Sequence, residues 1–191
     1  MEPLSLERAL MAVEDVRERL LRSTQALDRA QVPYAVVGGH AVAVWVARVD
    51  ASAVRNTVDV DILLRPADLA AATRALGSVG FEPAHIHGVT LFVEQRDPNP
   101  RRAIHVVYAG ELVRPGEPHP APDIGSILRA AEGFAVVDLP ALLTMKLTAF
   151  RDKDRTHLRD MLELGLVRPE IEAQLPADLR NRLAELRAIR E

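Results

Sequence analysis

Residues 58–64, Val-Asp-Val-Asp-Ile-Leu-Leu, constrain the fold more than any other stretch of the chain. So many β-branched and aliphatic residues in a row read as a strand, and the alternation sorts the side chains by face. Val58, Val60 and Ile62 point one way, and Asp59, Asp61 and Leu63 the other. The two carboxylates therefore share a face, about 7 Å apart along the backbone. Like charges at that spacing repel, and they are costly to bury. Either the face is wet and holds two solvated aspartates, or a cation lies between them. The apolar flanks mark the strand as central, which calls for the cation. A hard divalent ion such as magnesium suits carboxylate oxygens and substrate phosphates.

About twenty residues upstream, Tyr34–Val37 reads as a short buried strand and His40–Val49 as a helix apolar on most sides, with Gly38-Gly39 between them. Taken alone, the glycines make an ordinary turn. They also let a backbone approach a phosphate closely, and the helix start beyond them offers free N–H groups and a positive dipole. His40, first in the helix, can contact a phosphate or cap the turn. A phosphate seat followed by a paired-carboxylate strand points to metal-assisted phosphoryl or nucleotidyl transfer.

The remaining pattern sets the architecture. An amphipathic helix is expected over 5–30, with Ser5 as its cap. A helix follows over 66–79 and a strand within 81–94. The turn Arg96–Arg102 joins that strand to the strand 103–109 as a hairpin. Residues 110–123 form a Pro/Gly-rich loop, followed by a short helix near 124–131 and a strand over 134–137. Helices cover 139–150 and 153–164, and two short polar helices follow Pro169. This order predicts an α+β chain: a mixed β-sheet flanked by helices over 1–138 and a helical C-terminal subdomain over 139–191.

The 191 residues are 48% hydrophobic and 27% charged, a globular balance. A net charge of −3 gives no general field to attract nucleic acid. Without cysteine, disulfides and thiolate metal sites are excluded, and a reducing cytoplasm is the expected compartment. The N-terminus lacks an apolar signal core, and no apolar run is long enough to span a bilayer, so no membrane partner is expected.

"VVGGHAVAVW" followed by "RNTVDVDILL" resembles the nucleotidyltransferase fold of the polymerase-β superfamily. Within it, the sequence is most similar to the branch of AbiEii-type toxins and antibiotic nucleotidyltransferases, over about residues 30 to 165. In that branch a Gly-Gly turn follows the first strand, and an Arg-x-Thr-x-Asp-x-Asp stretch forms the second. Here those residues are Arg55, Thr57, Asp59 and Asp61. The resemblance implies that Gly38, Gly39, His40, Arg55 and Thr57 line the nucleotide site and that Asp59 and Asp61 hold Mg2+, with Mn2+ as a substitute. It implies transfer of a nucleoside monophosphate from a nucleoside triphosphate to a hydroxyl of an RNA, a protein or a small molecule. A toxin-like member would act on a tRNA end and have a cognate antitoxin; a resistance-like member would act on an antibiotic.

The pattern departs at one place. Active members carry a third carboxylate on a later strand, and the matching position in "AIHVVYA" is His105. Pairing of the strands would point His105 with the aspartates. It could be a general base, a ligand in a mixed Asp-Asp-His site, the mark of a catalytically silent nucleotide-binding or regulatory module, or a strand histidine paired with an aspartate. A metal-dependent hydrolase using Asp59, Asp61, His105 and His85 or His87 is a further reading. Lys146 stands in an apolar helix, where an ammonium needs a partner, and the resemblance implies that it reaches the triphosphate. Arg151, Lys153 and Arg155 read as a solvated face with ion pairs such as Asp154–Arg151 and Asp152–Arg155.

Overall fold

The computed structural model describes residues 6–125 and 127–188, so the expected Ser5 cap lies outside the described residues. Helix α1 spans Leu6–Arg29, followed by β1 (Ala35–Val36), α2 (Gly38–Ala47) and β2 (Val60–Leu64). Then come α3 (Leu69–Gly77), β3 (Phe81–Ile86), β4 (Val89–Glu94) and β5 (Ile104–Tyr108). The chain closes with β6 (Ile127–Arg129), β7 (Ala135–Val137), α4 (Leu139–Ala149), α5 (Asp152–Glu163), α6 (Pro169–Glu172) and α7 (Ala177–Ala188).

The strands form one mixed sheet in the order β3-β4-β5-β2-β1-β7-β6. The acid-bearing strand β2 is central, as its apolar flanks require. It runs antiparallel to β1 and parallel to β5. Its Val60, Ile62, Leu63 and Leu64 are fully buried. Helix α1 packs on α3 and β2, whereas α2 packs against β2, β7, α4 and α5. A single apolar cluster runs from Val16 to Leu186, so helices α4 to α7 share the core of the sheet.

Four elements differ from the sequence expectation. The strand expected somewhere in 81–94 is a full hairpin, β3 and β4, because His87 and Gly88 both take positive φ (50° and 80°) and turn the chain in two residues. The helix expected near 124–131 is absent: residues 127–129 are strand, paired antiparallel with β7 across a turn in which Gly133 has φ +94°. Burial of β7 selects this hairpin over local helix propensity. Helix α2 begins at Gly38 rather than His40, so the glycines are its first turn. The expected hairpin between β4 and β5 is present, with Leu91 opposite His105. The last helix is not polar all round, since Leu179, Leu183 and Leu186 are buried.

Candidate active site

Register brings the two sequence features together. Val36 pairs with Ile62, and the Val37 N–H donates to the Asp61 carbonyl at 3.0 Å. The next residue, Gly38, therefore lies directly against Asp61. A Cβ on Gly38 would stand 1.9 Å from Asp61 Oδ2, and Gly38 has φ +67°, a conformation other residues adopt only with strain. A Cβ on Gly39 would stand 2.6 Å from Thr57 Oγ1. The two glycines thus give room to two side chains of the acid-bearing segment, besides any ligand. Helix α2 has no side-chain cap at Val37 and no acid in its first turn; the protein charge placed at its positive end is the Asp61 carboxylate against Gly38.

Asp61 and His105 are register partners on β2 and β5, and His105 Nδ1 lies 3.6 Å from Asp61 Oδ1. Burial raises the Asp61 pKa above the ordinary carboxylate value; His105 opposes that shift and Asp59 adds to it. Asp59 sits one residue before β2, and its carboxylate is more open. Lys153 of α5 approaches it, Nζ to Oδ2 at 3.5 Å. His40 turns back from α2, and its Nδ1 lies 3.0 Å from the Asp59 carbonyl oxygen. That oxygen can only accept, so Nδ1 carries the proton. Burial holds the His40 pKa below its usual value and the ring neutral. His40 thus fixes the backbone from which the Asp59 carboxylate projects.

A cavity of about 140 Å3 opens beside Gly38 and Asp61, with Lys146, Arg151 and Lys153 on its walls. Residues of the 110–123 loop, including Arg114, Glu117 and His119, form the opposite wall. His119 ties that loop to α7 through Asp178, Nε2 to Oδ2 at 2.8 Å.

Lys146 does find the partner its position demands. It is buried, and its Nζ donates to Asp154 Oδ1 at 2.9 Å. Arg151 donates to the other oxygen, Nε to Oδ2 at 2.6 Å. Burial opposes ionisation of Asp154, but the two cations prevail and its pKa lies below the ordinary value. The expected Arg151–Asp154 pair therefore exists, buried on its acid side rather than on a solvated face. Arg155 lies 3.9 Å from Asp152, as expected. Arg55 does not enter the cavity wall; it forms a two-point contact with Asp160 of α5 at 2.6 and 3.0 Å. The Arg-x-Lys-Asp stretch at 151–154 reads as a charged surface in the sequence, which does not show that Lys153 approaches Asp59 or that Asp154 also holds Lys146.

His85 and His87 lie on the β3–β4 hairpin, His85 beside Thr90 at 3.3 Å. Among the described residues no three His, Asp or Glu side chains group as a metal site. The hydrolase reading with three such ligands therefore lacks its ligand set. No helix among the described residues is long and apolar enough to cross a membrane.

The sequence matches no family model and none of the curated proteins with which it was compared. Solved structures do resemble it. The antibiotic-resistance factor ANT(2'')-Ia is similar over 91% of this chain and 96% of its own, with a TM-score of 0.55 and 17% identity. An antigenic nucleotidyltransferase-like protein from Paracoccidioides brasiliensis is similar over 93% of this chain and 89% of its own, with a TM-score of 0.59 and 18% identity. At such identity the likeness is one of fold, and the chain has a nucleotidyltransferase-like fold, a seven-stranded mixed sheet flanked by helices.

Proposed function

We propose that the chain transfers a nucleoside monophosphate from a nucleoside triphosphate to a hydroxyl acceptor. The observation that carries this is the contact between Gly38 and Asp61, where a Cβ would be 1.9 Å from the carboxylate. A mere turn has no need to stand against a partly buried acid. Joining the start of a helix to a paired-carboxylate edge puts a seat for phosphate oxygens beside oxygen donors for a cation.

The donor set fits a divalent ion. Asp59 and Asp61 offer hard oxygens, and Asp61, partly buried with a raised pKa, carries a charge that wants compensation. When bound, magnesium would neutralise phosphate charge and polarise the reacting phosphoryl group. This chain's own residues do the rest. Gly38 and Gly39 present the first-turn N–H groups of α2 to phosphate oxygens. His40 holds the Asp59 backbone. Lys153, and Lys146 within its ion pair, add positive charge to the wall facing the polyphosphate. The acceptor oxygen attacks the α-phosphorus, the bond to the bridging oxygen breaks, and pyrophosphate leaves. The imidazole of His105 takes the acceptor proton in place of a third carboxylate. Most of the catalysis is positioning and charge neutralisation.

The acceptor is a tRNA end or a small molecule. A tRNA end would suit an AbiEii-type toxin paired with an antitoxin, and a small molecule would suit a resistance-like enzyme. A silent nucleotide-binding module is a second reading, favoured by the Lys153 contact with Asp59, which already supplies part of the missing positive charge. Incubation with each α-labelled nucleotide, Mg2+ or Mn2+, and total RNA or a small-molecule panel separates the two. Label transfer that is lost in Asp61→Asn supports the enzyme. Calorimetric nucleotide binding without transfer to any acceptor supports the silent module.

A further inference from the structure

At 1.5 Å per residue the 24 residues of helix α1 extend about 36 Å. Its C-terminal half is anchored by Leu20 and Leu27, both buried. Its first turns are not: Leu6, Leu10, Met11 and Val13 are 76, 63, 61 and 44% exposed. Leu6, Leu10 and Val13 follow the three- and four-residue spacing of one helix face. The same face continues through Arg17, Leu20 and Leu21, and there it forms one wall of a groove of about 680 Å3. The opposite wall is Val44, Ala47 and Arg48 of α2 together with Phe134 at the start of the β7 segment. Val13 belongs both to the exposed stripe and to the groove.

We propose that this face is a two-fold interface between two copies of the chain, each inserting the first turns of α1 into the groove of the other. The occupant follows from the geometry of one helix. Stripe and receptor are carried end to end on α1 and meet at Val13. An antiparallel crossing there lays Leu6 and Leu10 of one copy along the partner's groove wall, and the rotation that does so makes the reciprocal contact as well. A single crossing thus covers both apolar surfaces, and the contact closes at two copies. Charge agrees. Glu7 flanks the stripe and Arg48 lines the groove, whose other arginines, Arg17, Arg55 and Arg129, are paired within their own chain with Glu14, Asp160 and Asp28. The guanidinium of Arg48 lies over the Trp45 ring at 5.1 Å, at the groove edge.

The test is sedimentation or light scattering of the purified chain at up to about 100 µM, where a micromolar dimer is populated. The expected result is a dimer. Leu10→Glu alters the stripe and Ala47→Glu the groove. Both positions are exposed, so circular dichroism and melting should match the parent chain. Each variant alone should dissociate at least tenfold more readily. Mixing them should restore part of the association, because a mixed dimer keeps one contact free of both changes. A parent chain that stays monomeric, a larger open assembly, or a mixture no stronger than either variant would overturn the proposal.

Discussion

Two carboxylates, one buried and one only partly buried, line the same cavity in opposite electrostatic settings. Asp154 is fully buried, yet Lys146 and Arg151 each hold one of its oxygens, and its pKa is lowered. Asp61 keeps a quarter of its side-chain surface open, yet its nearest charge partner is an imidazole at 3.6 Å, and its pKa is raised. The first acid completes a closed ion network that locks the start of α5 to α4. The second is left short of positive charge. Evolution of a purely structural core would have no reason to retain that shortfall, since an asparagine or a leucine there costs less. The contrast separates an acid that holds the fold from an acid that the proposed function assigns to a ligand.

Removing each acid should sharpen that division. Asp154→Ala strands a buried ammonium, and the expected loss is about 3–5 kcal/mol of unfolding free energy, read from urea denaturation. A loss under about 1 kcal/mol would mean that the network is dispensable, and the contrast would fail. Next in size is Gly38→Ala. It forces a non-glycine into the left-handed region, costing about 1–2 kcal/mol, and it pushes Asp61 out of its place. Nucleotide binding measured by calorimetry should fall with it. Asp61→Asn should move stability the other way, raising it by about 1–2 kcal/mol at neutral pH while label transfer is lost.

The sign of the pH dependence follows from the same pair. Asp154, with a lowered pKa, contributes stability above its unfolded value and loses it as acid protonates the native carboxylate. Asp61, with a raised pKa, carries a penalty at neutral pH that is relieved as the pH falls through its folded value. The advantage of Asp61→Asn over the parent should therefore shrink in acid and vanish below the unfolded carboxylate value of about 4.

The site was more legible in the sequence than the ion network beside it. Alternation in "VDVDILL" placed Asp59 and Asp61 on one face, and the β2–β5 register sets His105 opposite Asp61 as that pattern implied. Period-2 patterning survives folding because slipping by one residue would bury the acids and expose Val60 and Ile62. The β4–β5 hairpin was marked by its two prolines for a similar reason. What the sequence hid were the long-range choices. The His85-x-His87 stretch reads locally as a loop rather than as a tight hairpin turn, and 127–129 reads as a helix until its pairing with β7 is known. Lys146 and Asp154 are eight residues apart on different helices, so no local spacing joins them; only the αL turn at Phe150 (φ 47°) does. Arg55 matched the motif but is drawn to Asp160, 105 residues away.

The smallest effect tests the edge of the closed network. His157 lies on α5, its Nδ1 buried without a hydrogen-bond partner among the described residues. Burial first, and Lys146 second, push its pKa from 6.5 down to about 4. The native ring is therefore neutral where the unfolded chain takes up a proton. Its stabilising contribution is complete above about pH 6.5, shrinks as the pH falls from there to about 4, and is constant below. With solvent screening of a half-buried ring, the change across the window should be about 1 kcal/mol. Asp61 acts with the opposite sign at the acid end of the window, so the parent alone would show only the sum. The difference in urea midpoint between parent and His157→Gln, followed from pH 7 to pH 4, cancels Asp61 and isolates the histidine. That difference should narrow steadily towards acid. If it stays flat, neither burial nor the Lys146 charge holds the native His157 ring neutral across this window.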